Sequence, residues 1–231
     1  MNREQYLQTG VALCKELVKS NPIQKLVISH EGRKNSESIE KAWVSKLSDF
    51  VYDNKKVKVI VKEKDDRYWV DFALIYDGEF FPINFKSGEG KTADNISGLK
   101  YIKYLIFYCL NGNYDVTNIN EKNLALNIVE LLKGTAELDL HNRDYFCLSH
   151  CVVDNAIRVI PVGCIYEEDL VSNPKNLFQA NFCTCRIKIR TNTKDMVSFI
   201  IKKFIEYQNK RAESYLIFKK AGFDEKSKIE L

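Results

Sequence analysis

The 231-residue chain lacks a basic N-terminal region followed by an apolar run, which argues against a secretory leader. Its longest apolar run, 104–110, falls far short of the roughly 20 residues that cross a bilayer. No internal repeat, low-complexity tract or obvious interdomain linker interrupts it, so repeat architectures are not indicated. Neither a phosphate-binding glycine loop nor a Ser-His-Asp signature is visible, and His30 and His141 have no evident catalytic partner. The seven cysteines are an odd number in a chain without a leader, which points to reduced thiols rather than a disulfide framework. The expectation is a soluble cytoplasmic protein with one domain over 1–231.

Hydrophobic residues make up 45% of the chain and aromatics 12%, enough for a sizeable core. Residues 224–231 read as a polar tail. The net charge of +4 is too small to identify a polyanion partner, but it is unevenly spread. From Asn181 onward there are 12 Lys and Arg against 6 Asp and Glu. A basic portion at 181–222 suits a polyanion, although Lys-rich helices are often simply solvated.

Apolar spacing predicts a helix over 4–20, with Leu7, Val11, Cys14 and Val18 on one face. A second is expected over 36–52, with Ile39, Trp43, Leu47 and Phe50 in a stripe and Ser and Asn residues as N-caps. Strands follow at 57–61, 68–76 and 79–86. Helices are expected at 95–110 and 121–133, strands at 145–153, 158–165 and 182–190, and a long helix at 194–220. The fold class is α/β (mixed α+β), a central mixed sheet flanked by helices.

The most informative stretch is the hairpin around Asp77-Gly78, a strong signal for a two-residue turn. If Tyr76 pairs with Glu79, Asp71 falls opposite Asn84, and Lys86 shares their face. That face carries Asp71, Ala73, Pro82, Asn84 and Lys86, while Phe72, Leu74, Phe81, Ile83 and Phe85 form an apolar opposite face. Asp and Asn are disfavoured in strand centres, so two facing each other ask for a reason. A carboxylate, an amide carbonyl and an ammonium in this arrangement suit a hard cation and an anionic phosphate. Asp71 would be the main ligand for Mg2+, Asn84 a weaker ligand or water-orienting group, and the carbonyl of Phe85 a further ligand. Lys86 would stabilise charge on the phosphate or position the nucleophile.

Asp71, twelve intervening residues, then Asn84-Phe85-Lys86 resembles the motif of the PD-(D/E)XK nuclease superfamily. The likeness runs over about 40–97, within a catalytic core at about 36–110. Val70 replaces the proline before the first acid, and Asn84 replaces the usual second acid, as in some type II restriction enzymes. The site is left one carboxylate short. The resemblance implies a restriction-endonuclease-like fold, Mg2+ as cofactor, double-stranded DNA as substrate and a homodimer that cuts both strands of a short specific site. It also implies a cognate DNA methyltransferase in the same system, though not as a binding partner. Such nucleases often carry another acid on the preceding helix; Glu40 is the candidate here and Glu37 the fallback. The alternatives are a repair or recombination nuclease of the same superfamily, and a non-catalytic DNA-binding protein on a nuclease fold.

Candidate DNA contacts lie in two places. The small-residue segment after the hairpin offers Lys91, Thr92, Asp94, Asn95 and Ser97, with Asp94 or Asn95 equally suited to capping the next helix. The strand expected at 182–190 would carry Thr184, Arg186, Lys188 and Arg190 on one face, and Cys183 and Cys185 on the buried one. A zinc site drawn from Cys147, His150, Cys151, Cys183 and Cys185 is disfavoured, because burial already explains the last two and Cys-X-Cys is not the usual knuckle spacing.

Overall fold

The computed structural model describes residues 1–23, 32–61, 70–96, 98–105, 121–134, 143–173, 177–210 and 217–223. The fold is mixed α and β. Strands β1 (Phe50–Tyr52), β2 (Lys55–Val61), β3 (Phe72–Tyr76), β4 (Glu79–Gly88), β6 (Phe146–Cys151) and β7 (Ala156–Pro161) form one sheet in the order β1-β2-β3-β4-β6-β7. All neighbours are antiparallel except β4 and β6, which run parallel, so the sheet is mixed as expected. A second sheet joins β5 (Asp94–Ile96), β9 (Phe178–Ala180) and β8 (Val171–Ser172), in that order.

Helices α1 (Arg3–Ser20) and α2 (Gly32–Val44) contribute to one core, and α3 (Gly98–Lys103), α4 (Glu121–Leu132), α5 (Thr193–Lys210) and α6 (Ile217–Lys220) to another. None of the described helices is long and apolar enough to cross a membrane. Asn2 and Gln5 close a reciprocal capping box that starts α1. Its buried stripe is Tyr6, Leu7, Gly10, Leu13, Cys14 and Leu17, with Val11 and Val18 only half-buried. A Cβ on Gly10 would run into the Phe146 ring, so glycine sets how closely α1 approaches the sheet. Tyr6 stacks on Phe81 at 4.6 Å, and Trp43 of α2 lies 4.6 Å from Phe85.

The hairpin register is the expected one through the strand pairs Tyr76–Glu79 to Phe72–Ile83. Asp77 and Gly78 have φ of 53° and 78°, the left-handed pair that a two-residue turn needs. Phe72, Leu74, Phe81, Ile83 and Phe85 all join the core with α1 and α2, as the alternation required. Ala73 joins the opposite core, so both faces of the hairpin are covered.

Several expectations fail. Helix α2 begins at Gly32 and stops at Val44, so Asn35 and Ser36 lie inside it and are not its caps. Phe50 belongs to β1 instead. Asp53-Asn54, with φ of 48° and 57°, makes a second two-residue hairpin that pairs Tyr52 with Lys55. The helical stripe continued past the end of α2 to Leu47 and Phe50 by coincidence of spacing. Asp94-Asn95-Ile96 is a strand paired with β9, not the start of the helix expected from 95. The segment expected as helix at 194–220 is helical at Thr193–Lys210 (α5) and Ile217–Lys220 (α6), with 211–216 outside the described residues.

The strand expected at 182–190 does not form. Asn181 turns the chain: its carbonyl accepts from Thr184 and Cys185, and its side-chain oxygen accepts from the Cys183 N–H at 3.1 Å. Such local side-chain bonds compete with a ladder. Only Ile187 bridges a neighbour, Ile165. The thiols are not all reduced either. Cys183 is joined to Cys151 in a disulfide, while Cys14, Cys147, Cys164 and Cys185 are free and buried.

A buried ion pair ties the layers together. Arg3 Nη2 lies 2.6 Å from Asp144 Oδ2, both side chains being 1% exposed or less. Asp144 Oδ1 also accepts from Tyr101 Oη and from the N–H groups of Tyr145 and Gly163, and Arg3 donates to the carbonyls of Arg143 and Arg190. Removing one partner leaves a buried charge uncompensated, at a cost of about 3–5 kcal/mol. Arg3→Ala and Asp144→Ala should each lower stability by that order in urea unfolding. A loss below about 1 kcal/mol for both would show that the pair is not a structural tie.

Candidate functional site

The pairing of β3 with β4 stops at Phe72–Ile83, where β3 starts, but β4 runs on to Gly88. Among the described residues, the edge of β4 from Asn84 onward has no strand beside it on that side. Its N–H groups still need acceptors. Two acids supply them. Asp71 Oδ2 accepts from the Phe85 N–H at 2.7 Å, and Glu40 Oε1, reaching over from α2, accepts from the Ser87 N–H at 3.1 Å. Asp71 is also out of the regular ladder, since its own N–H donates to the Ile83 carbonyl at 3.1 Å. It thus neighbours Asn84 without being its strand partner, because the ladder stops one pair short.

Lys86 and Glu40 meet beside this edge, Nζ to Oε2 at 3.9 Å, each side chain about one-fifth exposed (23% and 22%). Asn84 is only 5% exposed, and its Oδ1 has no hydrogen-bond partner. On the other side β4 pairs with β6, placing Asn84 beside Cys147 and Lys86 beside Ser149. Burial pushes the Glu40 carboxyl above its ordinary range; the charges of Asp71 and Asp94 add to the rise, while Lys86 and the Ser87 N–H oppose it. Burial raises Asp94 as well, against the pull of Lys86. Burial also holds the Cys147 thiol well above its usual value.

Asp71, Asn84, Lys86 and Glu40 are therefore brought to one region. The side chain of Glu37 and the whole of Ser97 lie outside the described residues. Among the described residues no three His, Cys, Asp or Glu side chains converge to hold a metal ion. The donor set near β4 is instead mixed, two carboxylates with the buried, unpartnered amide oxygen of Asn84. Oxygen donors of this kind suit a hard divalent cation, and an orphaned buried oxygen is a group that a cation or its water would satisfy.

The expected DNA contacts are scattered. Lys91 and Thr92 are exposed, and Lys91 pairs with Glu89 at 2.6 Å. Asn95 is exposed and accepts from Gln179 Nε2 at 2.7 Å. Arg186 is exposed but engaged with Asp169 and Glu168, and Lys188 is exposed. Arg190 turns inward, donating to the carbonyls of Gly163 and Ile165 and lying 3.8 Å from the Phe199 ring centre. Without the expected strand, these residues form no basic row.

Sequence reasoning missed a polar chain beside the site. The Ser87 hydroxyl lies 3.2 Å from His150 Nδ1, and His150 Nε2 lies 3.0 Å from Asn155 Oδ1. Only the parallel pairing of Ser87 with His150 reveals it, and a non-local register is not legible from spacing. No family model matches the chain, and no curated protein matches it.

Two outcomes follow from this geometry. Asp71→Asn keeps an acceptor for the Phe85 N–H, whereas Asp71→Ala orphans it and should cost about 1–3 kcal/mol in urea unfolding; equal stability of the two would contradict the edge role. For Glu40, a raised folded pKa means that its contribution to stability is present in acid and lost as pH rises through that pKa. Glu40→Gln removes the loss, so its Tm relative to the parent should climb between about pH 4 and about pH 7. A constant difference across that range would refute the burial effect.

Proposed function

We propose that the chain is a divalent-cation-dependent endonuclease acting on double-stranded DNA, built on the PD-(D/E)XK plan with a restriction-endonuclease-like fold. The observation that carries this reading is the β4 edge. An acid at the end of one hairpin strand, an amide and a lysine two residues apart on the other, and an acid from the preceding helix meet where a buried amide oxygen lacks a partner. A mixed sheet with helices contributing to both of its cores supports it.

In this reading Asp71 and Asn84, with the carbonyl of Phe85, hold Mg2+, which when bound activates water and neutralises phosphate charge. Asp71 is oriented by the Phe85 N–H, which fixes one of its oxygens against the strand. Glu40 is fixed in the same way by Ser87 and steadies the Lys86 ammonium. Lys86 neutralises charge on the attacked phosphate. The most specific form of the proposal is a type II restriction enzyme acting as a homodimer, paired in its system with a DNA methyltransferase.

A second reading has its own observation. Both acids already serve the β4 backbone, so they suffice as edge caps in a non-catalytic DNA-binding protein. Plasmid digestion with Mg2+ separates the readings: discrete fragments support restriction, smearing supports a repair-type nuclease, and binding without cutting supports the second reading. Within the first, Lys86→Ala and Asp71→Ala should abolish single-turnover cleavage, while DNA binding, spread over many phosphate contacts, persists. Asn84→Asp should retain cleavage and Asn84→Leu should lose it. Near-parental cutting by Asn84→Leu would exclude Asn84 from the site.

A further inference from the structure

We infer that Cys183 is a thiol-exchange site: a dithiol reductant opens its disulfide to Cys151 by attack on Cys183 Sγ, and the opening loosens the segment that leaves β4. The inference is independent of the nuclease reading and stands or falls without it.

The disulfide sits at a junction. Cys151 is the last residue of β6 and pairs with Gly88, the last residue of β4. The Val152 N–H then donates to the Gly88 carbonyl at 2.9 Å. Cys183 reaches the same place from the turn that follows β9. A Cβ built on Gly90, whose φ is 71°, would lie 2.6 Å from the Cys183 Cβ. The segment after β4 is therefore packed directly against the Cys183 side chain, at a distance only glycine allows. The Asn181 side-chain amide also donates to the Gly90 carbonyl at 2.6 Å. Residues 88–90 thus lean on the turn that the disulfide anchors.

The surroundings suit a bond that opens and recloses, because each half is held without it. The Asn181 carbonyl accepts from Thr184 and Cys185, and Arg158 donates to the carbonyls of Phe182 and Cys185 at 2.8 and 2.7 Å. On the other half, β6 is paired along both edges, with β4 and β7. Opening the bond therefore leaves the two sulfurs close enough to rejoin. The Gly88 carbonyl lies 4.0 Å from Cys183 Sγ and offers the freed thiol a weak acceptor. The two cysteines are unequal. Cys151 is 5% exposed, whereas Cys183 is half-buried beside the exposed Thr184, so exchange begins at Cys183. Scrambling with Cys14, Cys147, Cys164 or Cys185 is disfavoured, since burial holds each of these thiols above its usual range and away from the reactive thiolate.

The exchange is a two-electron transfer. A thiolate of the dithiol bonds to Cys183 Sγ, the S–S bond breaks, and its electron pair leaves on Cys151 Sγ, which takes a proton. The second thiol of the reductant then displaces Cys183 from the mixed disulfide, and the Cys183 thiolate is protonated in turn. The products are two protein thiols and the oxidised, cyclic reductant.

The test uses the folded full chain, without DNA. A brief exposure to the monothiol glutathione, quenched in acid and mapped by mass spectrometry, should leave the adduct on Cys183. Dithiothreitol should then open the bond while thermal melting shows the chain still folded, and oxidised glutathione should close it again. On opening, amide hydrogen exchange across 88–93 and 181–185 should rise severalfold, while that of α1 and of the turn between β3 and β4 stays constant. In Cys183→Ser the exchange of 88–93 should be raised from the start and insensitive to dithiothreitol. An adduct confined to Cys151 overturns the inference, as does a bond that opens only when the chain unfolds or that oxidised glutathione cannot restore. Opening with unchanged exchange across 88–93 overturns it equally, by showing that the disulfide does not control that segment.

Discussion

The two-residue turn at Asp77-Gly78 governs how the centre of the sheet is built. Both residues need positive φ, which Gly gives freely and Asp tolerates, and together they allow one register between β3 and β4. A slip by one residue would turn five large apolar side chains out of the core that α1 and α2 complete. It would also carry Asn84 and Lys86 to the wrong face. Core packing and site geometry are thus specified by a single constraint, and neither can drift without the other.

The late start of β3, at Phe72, has a second consequence. Continuing the strand would satisfy the β4 edge with backbone carbonyls, which are neutral and chemically inert. Starting β3 only at Phe72 hands the same N–H groups to carboxylates from Asp71 and Glu40. Charged acceptors make stronger bonds than neutral ones, so the edge loses little stability. It gains fixed negative charge within reach of Lys86. Because each acid is tethered by a backbone donor, its orientation does not depend on a flexible partner side chain.

Much of this was legible in the sequence. The turn dipeptide and the alternation of Phe72, Leu74, Phe81, Ile83 and Phe85 carried the register, and the helical position of Glu40 next to Ile39 carried its approach to the site. What failed was governed by competition or by distance along the chain. At 182–190 the alternation was correct, but the Asn181 side chain closed a turn that no periodicity reports. At 45–52 an apolar spacing compatible with a helix was overridden by β1 and the Asp53-Asn54 hairpin. Cys151 and Cys183 meet because β6 and the 182–184 turn are brought together by tertiary packing, which no count of cysteines foretells.

The Asn84 oxygen is the point where the economy of the fold departs from pure stability. Leaving a buried amide acceptor unpaired costs about 1–3 kcal/mol, and a Leu or Val there would avoid the cost while extending the apolar packing of Ala73 and Cys147. Asp144, by contrast, receives bonds from an arginine, a tyrosine and two backbone N–H groups. A chain that satisfies one buried acid so fully has the means to satisfy an amide in its central sheet, where Asn84 pairs with Cys147 on the neighbouring strand. Under the proposed nuclease reading, the unpaired oxygen is a group that a hard cation arriving from solution would satisfy.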